Sequence, residues 1–255
     1  MKVYFAGDGA HIDAALLRSG VRYRLASYYH ILKGNVDLEA LPKYRHLIID
    51  SGLFTFMFGR EAGETVFDLD FARHWVREYA AWIKTCGFPG AAFVEVDAQR
   101  LIGNEATWQL RHEFRELVGP DVDLMCVYHL PDQNPDRLID YADYIAVGMP
   151  ELSKFLSKPE RRRVVSYIAH RAHRLGKRVH LLGTLEIEYL RDFRFCTSCD
   201  TSVWLNSVRF GALRIPEHPQ VTYSGPIRGT DRYRCLEVSA LAVRALAQKY
   251  AGDQR

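Results

Sequence analysis

The sequence predicts an α/β protein folded as a single (β/α)8 TIM-like barrel, and three observations point there. Short apolar runs of strand length alternate with amphipathic stretches of helix length along all 255 residues, the pattern of parallel βαβ units. No glycine-rich dinucleotide fingerprint opens any unit, which favours a closed barrel over an open doubly wound sheet. Several apolar runs end on an acid, a histidine or a glycine, and in such barrels the active site lies at the carboxyl ends of the strands.

In order, Lys2 to Gly7 reads as a strand, residues 11–19 as a short helix, and Tyr23 to His30 as either strand or loop, with Tyr28 and Tyr29 assigned to the core. His46 to Asp50 is a strand of three apolar residues running into a carboxylate. Phe71, Trp75, Tyr79 and Trp82 recur every three or four residues in a helix spanning Phe67 to Cys86. Ala91 to Ala98 is a strand ending on Asp97, and Asn104 to Val118 is a helix stopped by Gly119-Pro120. Leu124 to His129 is a strand, followed by the Pro131–Pro135 turn and a short helix. Tyr144 to Met149 is a strand, Lys158 to Leu175 a basic helix and Val179 to Thr184 a strand. Glu186 to Phe193 is a short helix, and Phe195 to Trp204 holds a strand ending near Asp200. Asn206–Gly225 is irregular with one more strand around Val221, and Arg234 to Tyr250 closes the sequence as a helix. No repeat, low-complexity tract or linker interrupts residues 1–255, so one domain is expected.

At 48% hydrophobic and 25% charged, the composition is that of a soluble globular protein, and a net charge of +3 selects no partner. The five cysteines are scattered and odd in number, which argues against a disulfide framework. With no signal-peptide core and no membrane-length apolar run, a cytoplasmic location is expected. The stretch Glu160–Arg178 carries seven Lys or Arg against one Glu, which is either a solvated helix face or a phosphate-contacting surface.

Asp50, Asp97, His129, Gly148, Gly183 and Asp200 converge on one mouth in the barrel. Asp50 read alone is equally a helix cap. Three aspartates around one opening suit a divalent cation, or glycosyl transfer in which one carboxylate attacks an anomeric carbon and another handles a proton. Neighbouring carboxylates also push each other's pKa values apart. His30, His46, His112, His170 and His180 read as core or surface residues, and Trp75, Trp82 and Trp108 as packing.

Four short motifs carry a resemblance. Asp50-Ser51-Gly52-Leu53-Phe54, the strand end Tyr144–Leu152, His180–Thr184 and the Asp200 segment resemble, in order and spacing, the motifs of the tRNA-guanine transglycosylases. The resemblance implies base exchange with Asp200 as nucleophile and Asp50 as general acid/base. It implies a guanine site of Ser51, Gly52, Asp97, His129, Ile145, Ala146, Gly148 and Gly183. His129 stands where the family has a glutamine. The family's CxCxxC zinc site is not matched: Cys196 and Cys199 precede Asp200 and Cys235 stands apart, so zinc is not expected. The short length is more similar to compact phage-type relatives that insert 7-deazaguanines into DNA. That implies a 7-deazaguanine base as co-substrate, no cofactor, and nucleic acid as partner, DNA ahead of tRNA. Arg161, Arg162, Arg163, Arg171, Arg174, Arg178 and Arg209 would then contact phosphates. A tRNA enzyme, a non-catalytic nucleic-acid-binding barrel and a metal-dependent hydrolase are the alternatives.

Overall fold

Eight parallel strands close into a barrel in the order of the sequence, each pairing with the next and β8 returning to β1. They are β1 (Lys2–Ala6), β2 (Tyr23–Ser27), β3 (His46–Asp50), β4 (Ala92–Val94), β5 (Asp123–Tyr128), β6 (Tyr144–Gly148), β7 (Arg178–Leu182) and β8 (Ser198–Thr201). This computed structural model describes residues 1–9, 11–53, 68–130, 132, 134–225 and 231–252. Phe54 to Phe67 of the opening motif and of the first long helix, and Pro131 and Gln133 of the expected turn, lie outside the described residues.

The barrel class expected from the alternation is therefore the observed one. Side chains alternate along each strand, so every second residue points to the axis. Tyr4, Tyr23, Leu25, Ile48, Ala92, Val94, Met125, Val127, Tyr144 and Ala146 fill the interior. The residues between them pack outward on the helices in a larger cluster that includes Phe5, Ile49, Phe93, Cys126, Ile145, Leu181 and Cys199. Asp50 shares the inward parity of Ile48, and Asp200 that of Ser198, which puts both carboxyls at the top of the interior.

The ambiguous stretch after Arg22 is β2 followed at once by the helix Tyr28–Leu32. Tyr28 is core, as expected, with its ring 4.7 Å from that of Tyr79 and 5.2 Å from Trp75. The helix Leu69–Thr85 starts where Asp68 accepts from the backbone N–H of Phe71 at 2.8 Å, a side-chain N-cap. It buries Trp75, Tyr79 and Ile83 against the barrel.

Three expectations need correction. The strand read as Ala91–Ala98 stops at Val94. The Glu95 carboxylate takes the backbone N–H of Val127 at 2.8 Å and is held by Arg111 through two bonds of 2.6 Å, so the chain turns away before Asp97. The strand read as Tyr144–Met149 stops at Gly148, and Met149 opens a helix, Met149–Phe155, that the mixed pattern does not announce. The segment Asn206–Gly225 holds the helix Asn206–Phe210 and a two-stranded ribbon, Ala212–Leu213 with Tyr223–Ser224, and Val221 lies outside both strands. Among the described residues no helix is long and apolar enough to cross a membrane.

Candidate active site

The strand ends surround a cavity of about 430 Å³, within the range of ligand pockets. Asp8, Ser27, His30, Asp50, Asp97, Asp200 and Arg209 give it polar walls, and Leu25, Pro150, Leu182 and Gly183 complete it.

Asp50 is fixed from three sides. Tyr79 donates its hydroxyl to the carbonyl of Ile49 at 2.8 Å, and the Trp75 indole N–H to the carbonyl of Ser51 at 3.1 Å. These bonds clamp the backbone on either side of Asp50. The N–H of Gly52 then donates to Asp50 Oδ1 at 2.7 Å. Only glycine suits that position: φ is +83°, and an added Cβ would sit 2.4 Å from Tyr29 Cβ. Burial, followed by the charge of Asp97, pushes the Asp50 carboxyl up to about 7, with Asp200 and Asp8 adding to the effect against the Gly52 bond.

Asp200 is buried, and two hydrogen bonds converge on one of its oxygens. The N–H of Gly183 donates to Oδ1 at 2.6 Å, and His180 Nε2 lies 3.0 Å from the same atom. Gly183 has a φ of +75°, and a side chain there would meet Pro150 at 2.8 Å.

Asp97 heads a charged chain across the rim. His129 Nε2 lies 3.0 Å from Asp97 Oδ2, while His129 Nδ1 bonds Glu151, which in turn receives Arg100 Nε at 2.7 Å. Burial works against the imidazolium, but the bonds to Asp97 and Glu151 outweigh it and push His129 up to about 9. Burial likewise opposes the charged form of Glu151, yet His129 and Arg100 hold it below its ordinary range. The result is alternating charge: Asp97 carboxylate, His129 imidazolium, Glu151 carboxylate, Arg100 guanidinium.

Asp8 follows β1 on a loop tied down by Arg24, which is fully buried and bonds the carbonyl of Phe5 at 3.0 Å, the carbonyl of Gly7, and Asp13 Oδ1 at 2.9 Å. Burial raises the Asp8 carboxyl despite Arg24 and His30 nearby. His30 Nε2 lies 3.7 Å from Asp8 Oδ2. Arg209 enters from the far wall, donating to Ser202 Oγ at 3.2 Å. A second cavity of about 430 Å³ shares Asp8 and Arg209 with the first and continues past His11, Ile12, Val208 and Tyr233.

Asp50, Asp97, Gly183, Asp200 and Arg209 line one cavity, Asp50, Gly183 and Asp200 from strand ends and Asp97 and Arg209 from the segments after β4 and β8, with His129 behind Asp97 and Gly148 at the end of β6. Ser51 is fully buried and outside the lining, and Gly52 acts through Asp50. Ile145 and Ala146 sit in mid-strand, paired with Val179 and His180 in the ladder, and are absent from the lining.

The arginines of the basic helix do not assemble a rim. Arg161 is buried on Glu186 at 3.0 Å, Arg162 pairs with Asp192 at 2.8 Å and Arg171 with Asp136 at 3.5 Å. Arg163 and Arg174 are exposed on the outer helix layer, and Arg178 pairs with Asp123 at the barrel end opposite the mouth. Cys199 faces the helix layer with Cys196 buried nearby, and among the described residues no three His, Cys, Asp or Glu side chains group to hold a metal.

Sequence reasoning missed Asp8, His30, Glu151 and His180. Asp8 and His180 carried a signal: Asp8 follows an apolar strand as Asp50 does, and His180 falls on the inward parity of β7.

No protein-family model matches this chain, and no curated protein matches it. Two solved structures similar to it are the glycoside hydrolase domain of PelA from Pseudomonas aeruginosa and a variant of that same domain. The domain is 11% identical with a TM-score of 0.44, and the variant 12% with 0.47; each alignment covers 78% of this chain and 93% of the other. Likeness at that level carries no argument about activity. The transglycosylase reading is corrected by these findings. No family model, that of the transglycosylases included, matches the sequence that holds the four short motifs. Guanine exchange in DNA or tRNA, the phage-type assignment and the 7-deazaguanine co-substrate go with it.

Proposed function

We propose that the barrel mouth hydrolyses glycosidic bonds, with Asp50 as general acid and Asp200 as the ionised carboxylate. The observation that carries this reading is the unequal environment of carboxyls lining one cavity. Asp50 is pushed up to about 7, so near neutral pH it still has a proton to give. Asp200 Oδ1 accepts the N–H of Gly183 and lies 3.0 Å from His180 Nε2, an arrangement that suits a carboxylate and leaves Oδ2 for chemistry. In hydrolysis Asp50 protonates the bridging oxygen as the bond from the anomeric carbon breaks. Water supplies the hydroxyl to that carbon; its remaining proton goes to Asp50 when Asp200 is the nucleophile, or to Asp200 when Asp200 is the base, which then releases it to solvent while Asp50 regains one from solvent. Asp200 either attacks the carbon first or takes the proton from water; the anomeric configuration of the product distinguishes the two.

The charge of Asp97, on the same wall, helps to keep the proton on Asp50. The second cavity, with its apolar wall and the ring of Tyr233, offers room for a further sugar unit of the substrate. The test is release of reducing ends from a panel of polysaccharides and aryl glycosides by the wild type, Asp50→Asn and Asp200→Asn. Release abolished in Asp200→Asn supports the reading. Release that survives in both variants, or none from any glycan, overturns it.

A further inference from the structure

Inside the barrel, where apolar side chains usually fill the layers, a string of polar groups runs from near the floor to Asp200. His180 is fully buried, with Nε2 3.0 Å from Asp200 Oδ1 and Nδ1 2.7 Å from Ser198 Oγ. Ser198 is also fully buried, and its Oγ lies 2.5 Å from the hydroxyl of Tyr144. The groups come from three adjacent strands: Tyr144 opens β6, His180 is central in β7, and Ser198 and Asp200 are on β8 in register with it.

We propose that His180 is a positioning residue for Asp200 and that Ser198 and Tyr144 fix its tautomer. The proposal rests on the hydrolase reading for the purpose of the device, but not for its existence.

The direction of the string follows from what each atom can do. An ionised carboxylate only accepts, so the hydrogen of a neutral imidazole lies on Nε2. Nδ1 is then a bare acceptor and takes the hydroxyl hydrogen of Ser198. Ser198 Oγ in turn accepts from Tyr144, whose hydroxyl burial keeps protonated. Every donor meets an acceptor in a place that water does not reach, which a buried polar string requires. The consequence is local to Asp200. Two donors, Gly183 N–H and His180 Nε2–H, pin one oxygen and fix the plane of the carboxyl, so Oδ2 is the oxygen that faces the cavity. Tyr4 packs beside the string, its ring 6.2 Å from that of His180, and its own hydroxyl bonds His46 Nδ1 at 2.9 Å.

The first experiment needs no substrate. Ring ¹⁵N shifts of the histidines are measured in the wild type, with His180→Gln assigning the signal, and then in Ser198→Ala and Tyr144→Phe. A neutral Nε2–H tautomer in the wild type, and a mixture in Ser198→Ala, are expected. An imidazolium or an Nδ1–H form in the wild type overturns the proposal, whatever the enzyme acts on.

The second experiment uses the glycan cleaved in the screen above. Ser198→Ala is expected to lower kcat roughly tenfold, the equivalent of one lost hydrogen bond, with KM unchanged. His180→Leu is expected to lose far more, and His180→Gln, which keeps a donor near the position of Nε2, to recover part of it. Equal loss in Gln and Leu, with both variants folded by circular dichroism, would mean that His180 only fills space.

Discussion

Asp50→Asn should make the protein more stable while removing its activity on glycosides whose leaving group needs a proton, and the gain should depend on pH in one direction only. In the unfolded chain an aspartate titrates near its ordinary value of 3.8, whereas in the fold Asp50 is pushed up to about 7. Between those values the folded state holds a proton that the unfolded state has released, so stability falls as pH rises through this window. Lifting a carboxyl from 3.8 to about 7 corresponds to roughly 4 kcal/mol, at about 1.4 kcal/mol per pKa unit. Water at the cavity mouth screens this half-buried group, which brings the expected penalty to about 2 kcal/mol. Asparagine carries no charge, and its Oδ1 still accepts from Gly52. Urea unfolding of the two proteins at pH 8 and pH 4 measures the effect. The variant should be more stable by about 2 kcal/mol at pH 8 and indistinguishable at pH 4. Equal differences at both values, or a variant less stable at pH 8, would show that Asp50 is not held neutral by its surroundings.

Other outcomes follow from the same geometry. His129 has the opposite sign: its folded value near 9 stands above the ordinary 6.5, so its contribution is fully present below 6.5 and lost as pH rises through 9. His129→Asn should therefore destabilise clearly at pH 6 and little at pH 10, by urea unfolding at both. Gly52→Ala should cost about 1–3 kcal/mol through its left-handed backbone and the contact with Tyr29, whereas Gly34→Ala, with nothing within 4 Å, loses only through backbone conformation. The two melting curves, taken side by side, check this. Tyr233→Ala should slow cleavage of a polymer several-fold and leave a small aryl glycoside unaffected, by comparison of kcat/KM for the two substrates; equal slowing would remove the second cavity from the binding site.

The barrel was legible because its signal is repetitive: apolar runs of strand length and amphipathic helices recur in turn, and misreading one leaves the period intact. Asp50 and Asp200 were legible for a related reason. An acid at the end of an apolar strand, on its inward parity, has only the mouth to face. Asp97 was found by an argument that fails in detail, since the strand ends at Val94 and a buried pair, Glu95 with Arg111, turns the chain. That pairing joins residues 16 apart and leaves no local trace. Glu151 lies on a helix that the sequence did not announce, and its role depends on His129 and Arg100 arriving from elsewhere in the chain. The basic helix was open to two readings, a solvated face or a phosphate surface. Three of its arginines meet acids that only the fold brings near, Glu186, Asp192 and Asp136, while Arg163 and Arg174 stay exposed. The transglycosylase motifs misled because each is only a few residues long and sits at a barrel strand end, and a shared fold does not carry a shared function.

The central claim is that Asp50 donates a proton to a departing glycosidic oxygen. The most direct measurement compares wild type and Asp50→Asn on two glycosides of the same sugar, one with a dinitrophenyl leaving group and one with an alkyl alcohol. The account expects the variant to keep most of its rate on the first, which needs no acid, and to lose roughly a hundredfold or more on the second. Equal losses on both would contradict it.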